Sequence, residues 1–400
     1  MPNSLDSLLA VPGTGARQLI AGSGQGIATN LSELPMLLDA AQAQRLLLVI
    51  DRGAVAASDI EAELRLALAG REVAEFSEFT PNPKSEQAAA AARAAQAHGA
   101  DAVVAIGGGS CMDVAKVAAL ASCAGDTLDA VTRGAAPPTD AALPIIAVPT
   151  TSGTGSEATH FAAIYVDGRK ISLAHRSMRP VAVVLDVRLH AAMPQRLAAE
   201  TGLDALAQAL ESLWAVGSTA ESLRFAEAAG PLLASALVRS AVKVDHTARI
   251  EMMLGSHLAG QAINLGKTTA AHALSYALTQ GYGIAHGHAV ALTLGHVGAA
   301  NYTVDADTCL DARGPAHVRA QVGRATETLG CTPGELPRVI AELMQDLGLP
   351  SSLADAGVPR DALPALAAAA DLIRLSNNPM RLSTEKTLLL LEDAWAKVGD

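Results

Sequence analysis

The chain follows two hydrophobic regimes, and the change between them falls near residue 193. In the first regime, short apolar runs are separated by glycine, proline and charge. Leu46–Ile50 in RLLLVIDRG, Ala102–Ile106 in DAVVAIGGGS and Ile145–Val148 in LPIIAVPTTS are unbroken and bounded by turn residues. Strands apolar on both faces belong in a parallel sheet covered by helices. Further strands are predicted near Val73–Phe76 and over Val181–Val187, and helices around Ile60–Leu68 and Ser85–His98, the latter after a turn at Pro81–Lys84. FAAIYVDGRKISLA reads as a hairpin turning at Asp167–Gly168. Gly22, Gly24 and Gly26 predict a tight turn followed by a helix.

From Met193 onward strands vanish and Ala/Leu-rich helical patterns run to Asp400, with breaks expected at Gly230–Pro231 and Gly348–Pro350. The boundary falls within Ala191–Gln195. It divides the chain into an α/β domain, 1–192, and an all-α domain, 193–400. No repeat of solenoid period is present.

Composition narrows the class. At 400 residues, 50% hydrophobic and 17% charged, the chain is globular and long enough for two cores. A net charge of −11 without any basic run argues against a nucleic-acid partner. No apolar run approaches the ~20 residues of a membrane span, and MPNSLDSLLAVPGTG lacks the charged-then-apolar order of a signal peptide. Cys111, Cys123, Cys309 and Cys331 form no CxxC or zinc spacing, which fits a reducing, cytoplasmic compartment.

The candidate chemistry lies where strands meet loops and where histidines gather. Gly107, Gly108 and Gly109 follow a strand and open a helix, so backbone and helix N-terminus can approach a pyrophosphate. Ser110 and Asp113 read as a capping-box variant there. Thr150, Thr151, Ser152 and Thr154 follow the next strand and suit ribose and nicotinamide contacts. Asp51 ends a strand, as a ribose ligand that would favour NAD over NADP, or as a helix N-cap; Arg52 beside it weakens the first alternative. In the second half, Ala271–Val297 holds four of the 11 histidines: His272, His286, His288 and His296. Upstream, Asp204 and Gln208 share a helical face at i and i+4. An Asp, an amide oxygen and two His form a donor set for a divalent transition metal.

Together PNP (Pro81–Pro83), GGGSCMDVAK (Gly107–Lys116), PTTSGTGSE (Pro149–Glu157), LDALAQALES (Leu203–Ser212) and the His272–His286 stretch resemble the iron-containing (group III) alcohol dehydrogenase family over nearly the whole chain. The resemblance implies the fold shared with dehydroquinate synthase: a dinucleotide-binding α/β domain, then a helical metal-binding domain. It implies NADH or NADPH as coenzyme, and a divalent metal, iron(II) or alternatively zinc, on Asp204, Gln208, His272 and His286. Gln208 departs from the family's usual His and is a weaker ligand. Tyr276 stands where many members carry a proton-relay His; with His288 and Lys170 it forms the candidate catalytic set. His288 reads equally as a substrate-facing donor or a helix-start residue.

KTTAAHALSYALTQGYGIAHGHAVALTLGHV and SNNPMRLS look most like the branch that reduces phosphonoacetaldehyde to 2-hydroxyethylphosphonate. A small anionic aldehyde needs cations, and Lys267, Arg374 and Arg381 are the candidates, with Lys170 and Arg176 behind them. A homodimer is implied by family likeness. Three rivals remain: another group III activity such as maleylacetate reduction, a dehydroquinate-synthase-like lyase with no net NADH consumption, and a non-catalytic NAD-binding protein.

Overall fold

The computed structural model describes residues 19–20, 22–137, 140–370 and 375–396. It divides into two compact units that meet between Met193 and Pro194.

The first unit is built on a six-stranded parallel sheet in the order β1-β8-β5-β4-β2-β3. Its strands are β1 (Gly26–Ala28), β2 (Arg45–Ile50), β3 (Glu72–Phe76), β4 (Ala102–Gly107), β5 (Ile145–Pro149) and β8 (Ala182–Val184). β4 and β5 are buried at every residue, as unbroken apolar runs require when helices cover both faces. Two long helices pack here, α1 (Ser85–His98) and α2 (Gly109–Ala121). The chain leaves β2 outward to β3, then crosses back to β4 and continues through β5 to β8. The topology therefore reverses between β2 and β4. In open α/β sheets, ligands bind beyond the carboxyl ends of strands at such a switch point. Asp51 and Gly107–Gly109 stand there, joined by the Asp51 N–H to Ile106 O bond of 2.8 Å.

The hairpin β6 (Phe161–Val166) and β7 (Arg169–Ala174) forms a separate two-stranded sheet. Its turn places Asp167 at φ 50° and Gly168 at φ 77°, as a tight two-residue connection requires. Gly24 turns at φ 76°, and the expected helix follows at Leu34–Ala40, after the short strand β1, which exists because β8 supplies its hydrogen-bond partners. One expectation is corrected. The last strand stops at Val184, because Asp186 caps the short helix Val187–Ala191 and also accepts from the Leu31 N–H.

The described residues of the second unit form helices and no sheet: α3 (Gln195–Trp214), α4 (Ala220–Ala241), α5 (His246–Gly266), α6 (Ala270–Tyr282), α7 (His286–Tyr302), α8 (Pro315–Thr328), α9 (Leu336–Asp346) and α10 (Thr384–Trp395), with the short helix Leu363–Ala368 between the last two. Asp245 starts α5 by accepting from the Thr247 and Ala248 N–H groups. Gly348 ends the α9 segment at φ 74°, but Gly230–Pro231 does not break α4, which runs through both. Pro231 removes one helical hydrogen bond, yet the apolar face Phe225, Ala226, Ala229, Leu232 and Leu233 stays buried and outweighs that loss. No helix among the described residues is long and apolar enough to cross a membrane.

Glycines let these helices approach closely. A Cβ on Gly255 would lie 2.7 Å from Leu233. One on Gly287 would lie 2.0 Å from the Glu200 carbonyl and 2.8 Å from Asp204 Cβ, so α7 meets α3 backbone to backbone. Gly287→Ala has to push the two helices apart. Its expected effect is a loss of about 2–4 kcal/mol in stability, read as a lower midpoint in denaturant unfolding with an unchanged slope.

Candidate active site

In the first unit, the candidate nucleotide-contacting residues gather at the N-terminus of α2. Gly108 is its N-cap and no side chain caps it, so its first-turn N–H groups remain available to an anion. The three glycines all avoid the left-handed region; what they provide is space. Added Cβ atoms would lie 2.5 Å from Cys111 Cβ at Gly107, 3.2 Å from Thr151 at Gly108 and 2.8 Å from Thr154 at Gly109. The second loop thus packs directly on the first, and the Thr150 N–H donates to Gly107 O at 3.0 Å. Ser152 is buried, with its hydroxyl 2.8 Å from His190 Nδ1.

The capping box expected from Ser110 and Asp113 does not form. Asp113 accepts instead from the Ala163 N–H at 3.1 Å and the Ser156 hydroxyl at 3.2 Å, tying α2 to the hairpin. Burial pushes its carboxyl up to about 6, against the opposing pull of Lys116 and Lys170. Lys116 is fully buried and donates to Ser156 Oγ at 2.8 Å, Thr159 Oγ1 at 2.9 Å and Phe161 O at 2.9 Å. Desolvation lowers its ammonium to about 8. Lys170 lies on β7, opposite Tyr165 in the hairpin register.

Of the two alternatives for Asp51, the structure forms the N-cap: its Oδ1 accepts the Ala54 N–H at 3.0 Å. Arg52 is already engaged. Its Nε donates to Glu75 at 2.6 Å, a second guanidinium nitrogen also reaches Glu75, and Nη1 donates to Glu61 at 3.1 Å.

In the second unit, α3, α6 and α7 bring Asp204, His272 and His286 together, with donor atoms within 4.8 Å of one another. Asp204 and His272 are buried and His286 is about one-third exposed. His272 Nε2 lies 3.2 Å from Asp204 Oδ1, and His286 Nε2 lies 4.0 Å from the same oxygen. Gln208 is buried one turn after Asp204. Tyr276 stacks on His286, with ring centroids 5.8 Å apart and planes 16° from parallel. His286 Nδ1 is 3.2 Å from the Ser275 hydroxyl.

Glu211 is the residue that sequence reading missed. It lies seven residues after Asp204, on the same helical face, and is fully buried. It accepts from His272 Nδ1–H, from Thr269 Oγ1 at 2.6 Å and from the Ala271 N–H at 3.0 Å. A carboxylate behind a ligating imidazole fixes its tautomer and aims Nε2 at the metal. Burial pulls the His272 pKa down, but Glu211 and Asp204 outweigh it and leave it raised. Two buried carboxylates around one imidazole leave negative charge that a divalent cation neutralises, so the donor set fits such an ion.

His288 stands apart from the Asp204, His272 and His286 donor group. It is buried, its Nε2–H donates to Pro350 O at 2.7 Å, and desolvation lowers its pKa. His296 is also lowered by burial. Lys267 and Arg381 are exposed, Lys267 at the end of α5 and Arg381 just after the Cys309–Met380 bridge. Arg374 lies outside the described residues.

The chain matches the iron-containing alcohol dehydrogenase family over residues 24–187 and the C-terminal domain of that family over 198–395. It is 39% identical over 320 residues to a phosphonoacetaldehyde reductase of Streptomyces viridochromogenes, covering 76% of this chain and 79% of that protein. It is 30% identical over 335 residues to lactaldehyde reductase of Escherichia coli strain K12, covering 83% and 86%. Among solved structures, sulfoacetaldehyde reductase from Bifidobacterium kashiwanohense in complex with NAD+ superposes with a TM-score of 0.82 at 27% identity, covering 94% of this chain and 98% of that one. The chain belongs to the iron-containing alcohol dehydrogenase family. It is an NAD(P)-dependent alcohol dehydrogenase or aldehyde reductase, with an α/β region built on a parallel sheet followed by a helical region.

Glu211→Gln keeps the shape but removes the charge behind His272. Metal affinity is expected to fall about 10–100-fold, measured by competition with a chromophoric zinc chelator. Protons compete for His272 Nε2, so wild-type affinity is expected to drop as pH falls through the raised His272 pKa; an affinity flat across that range would contradict the assignment.

Proposed function

We propose that this chain reduces phosphonoacetaldehyde to 2-hydroxyethylphosphonate with NADH, using a divalent metal held by Asp204, Gln208, His272 and His286. The observation that carries the reading is the Asp204–His272–His286 cluster backed by the buried Glu211. The bound metal supplies Lewis acidity towards a carbonyl oxygen. The protein's own part is orientation: Glu211 fixes His272, Ser275 and Tyr276 steady His286, and Gly287 sets α7 against α3. Tyr276, stacked on His286, is the side chain proposed to hand a proton to the nascent alkoxide.

For the coenzyme, the uncapped N-terminus of α2 would receive the pyrophosphate, with Thr151 and Thr154 packed around the glycines. NADH over NADPH is supported by the charges at the switch point. Asp51 is an acid, and Arg52, the cation that would welcome a 2′-phosphate, is drawn onto Glu75 and Glu61. The substrate is supported by the Streptomyces relative, and by a structural neighbour named for another acetaldehyde with an anionic tail. Maleylacetate reduction and simple-alcohol oxidation are the rival group III activities.

The test is NADH and NADPH oxidation with phosphonoacetaldehyde, propanal and maleylacetate on protein stripped by chelator and reloaded with iron(II) or zinc. Preferred turnover of phosphonoacetaldehyde with NADH, lost on stripping and restored by metal, is the expected result. Turnover indifferent to stripping would sink the metal assignment. In Glu61→Gln/Glu75→Gln, the released Arg52 is expected to raise kcat/KM for NADPH about tenfold while NADH changes little.

A further inference from the structure

Lys267 occupies a backbone conformation that a side chain disfavours, at φ 60° and ψ 175°. That region is essentially restricted to glycine, and a residue with a Cβ persists there only when its surroundings over-determine it. The surroundings do so here. The Lys267 N–H donates to Ile263 O at 2.9 Å. The Asn377 side-chain amide donates to the carbonyls on either side, Gly266 O at 2.9 Å and Thr268 O at 3.0 Å. Asn377 is itself fixed, its Oδ1 accepting the Gly217 N–H at 2.8 Å and its carbonyl accepting the Val216 N–H at 3.0 Å. The contacts at 266–268 are all made by backbone groups, and a glycine at 267 would satisfy them without strain. What the position gains from lysine is the side chain.

That side chain is uncommitted. Lys267 is exposed, and its ammonium makes no hydrogen bond or ion pair among the described residues. The turn it stands on is continuous with the metal cluster. Two residues on, Thr269 accepts from Trp214 Nε1 at 3.0 Å and donates to Glu211 at 2.6 Å, and Glu211 holds His272. Five residues, spanning at most ~17 Å even when extended, separate Lys267 from His272.

We propose that the Lys267 ammonium holds the anionic tail of the substrate, and that the strained turn is retained to present it, with Asn377 as the positioning residue. The inference rests on the reading of this site as an aldehyde reductase and narrows its substrates to short aldehydes bearing a phosphonate or similar oxyanion. A cation on this turn discriminates by tail charge, while the carbonyl is handled by the cluster.

Two variants separate charge from strain. Lys267→Gly removes both; Lys267→Met removes the charge and keeps the Cβ. In both, kcat/KM for phosphonoacetaldehyde is expected to fall tenfold or more (about the value of a charge-assisted hydrogen bond), while kcat/KM for propanal stays within about twofold. Ethylphosphonate, a tail without a carbonyl, is expected to inhibit wild type competitively and to lose that inhibition in both variants. Tm is expected to rise in Lys267→Gly and to stay level in Lys267→Met. Equal losses on both aldehydes, unchanged kinetics, or a Tm that falls in Lys267→Gly would overturn the inference while leaving aldehyde reduction standing. A metal-loaded wild type that reduces neither aldehyde would overturn the functional reading as well.

Discussion

Burial of two carboxylates on one face of α3 is the constraint on which the second unit depends. Asp204 and Glu211 sit in a helix whose neighbours are almost all alanine and leucine, and water is excluded from both. Each must find its compensation inside the fold. Glu211 finds it from three donors at the start of α6: an imidazole, a threonine hydroxyl and a backbone N–H. Asp204 faces the two histidines. The place of α6 against α3 therefore follows from electrostatics as much as from apolar packing. The same contacts that relieve the buried charge also shape the donor set for a metal.

The first unit obeys a different rule. Its parallel sheet is set by apolar burial along β4 and β5, and the residues with candidate coenzyme contacts stand at the carboxyl edge, where the chain reverses between β2 and β4. Lys116 and Asp113 form a buried joint between α2 and the hairpin, and each is shifted towards neutrality by the burial they share. That joint draws acid away from the α2 N-terminus and leaves the helix end electropositive for a phosphate.

Much of this was legible in the chain. Leu46–Ile50, Ala102–Ile106 and Ile145–Val148 announced buried parallel strands because both of their faces are apolar, and Asp167–Gly168 announced its hairpin. β1 was illegible because three residues carry no period, and its partner lies more than 150 positions away. Ser110 and Asp113 satisfied a local capping pattern, but Ala163 and Ser156, distant in sequence, compete successfully for the carboxylate. Asp204, His272 and His286, distant in the chain, are brought together by three helices. His288 could not be decided from spacing because nothing nearby in sequence points to Pro350 as its acceptor. Glu211 left a signal that went unread: Asp204, Gln208 and Glu211 at i, i+4 and i+7 make a polar stripe on a helix otherwise fit for a core.

The backbone contact at Gly287 has a further bearing. Because α7 rests on the α3 main chain without an intervening side chain, His286 and Asp204 are registered by peptide geometry, independently of any ion between them. Little ordering is then left for ion binding to drive. Exchange of one divalent ion for another is a local substitution, and the ion that occupies the cluster in a cell is set by abundance and ligand chemistry rather than by a folding step that would select it.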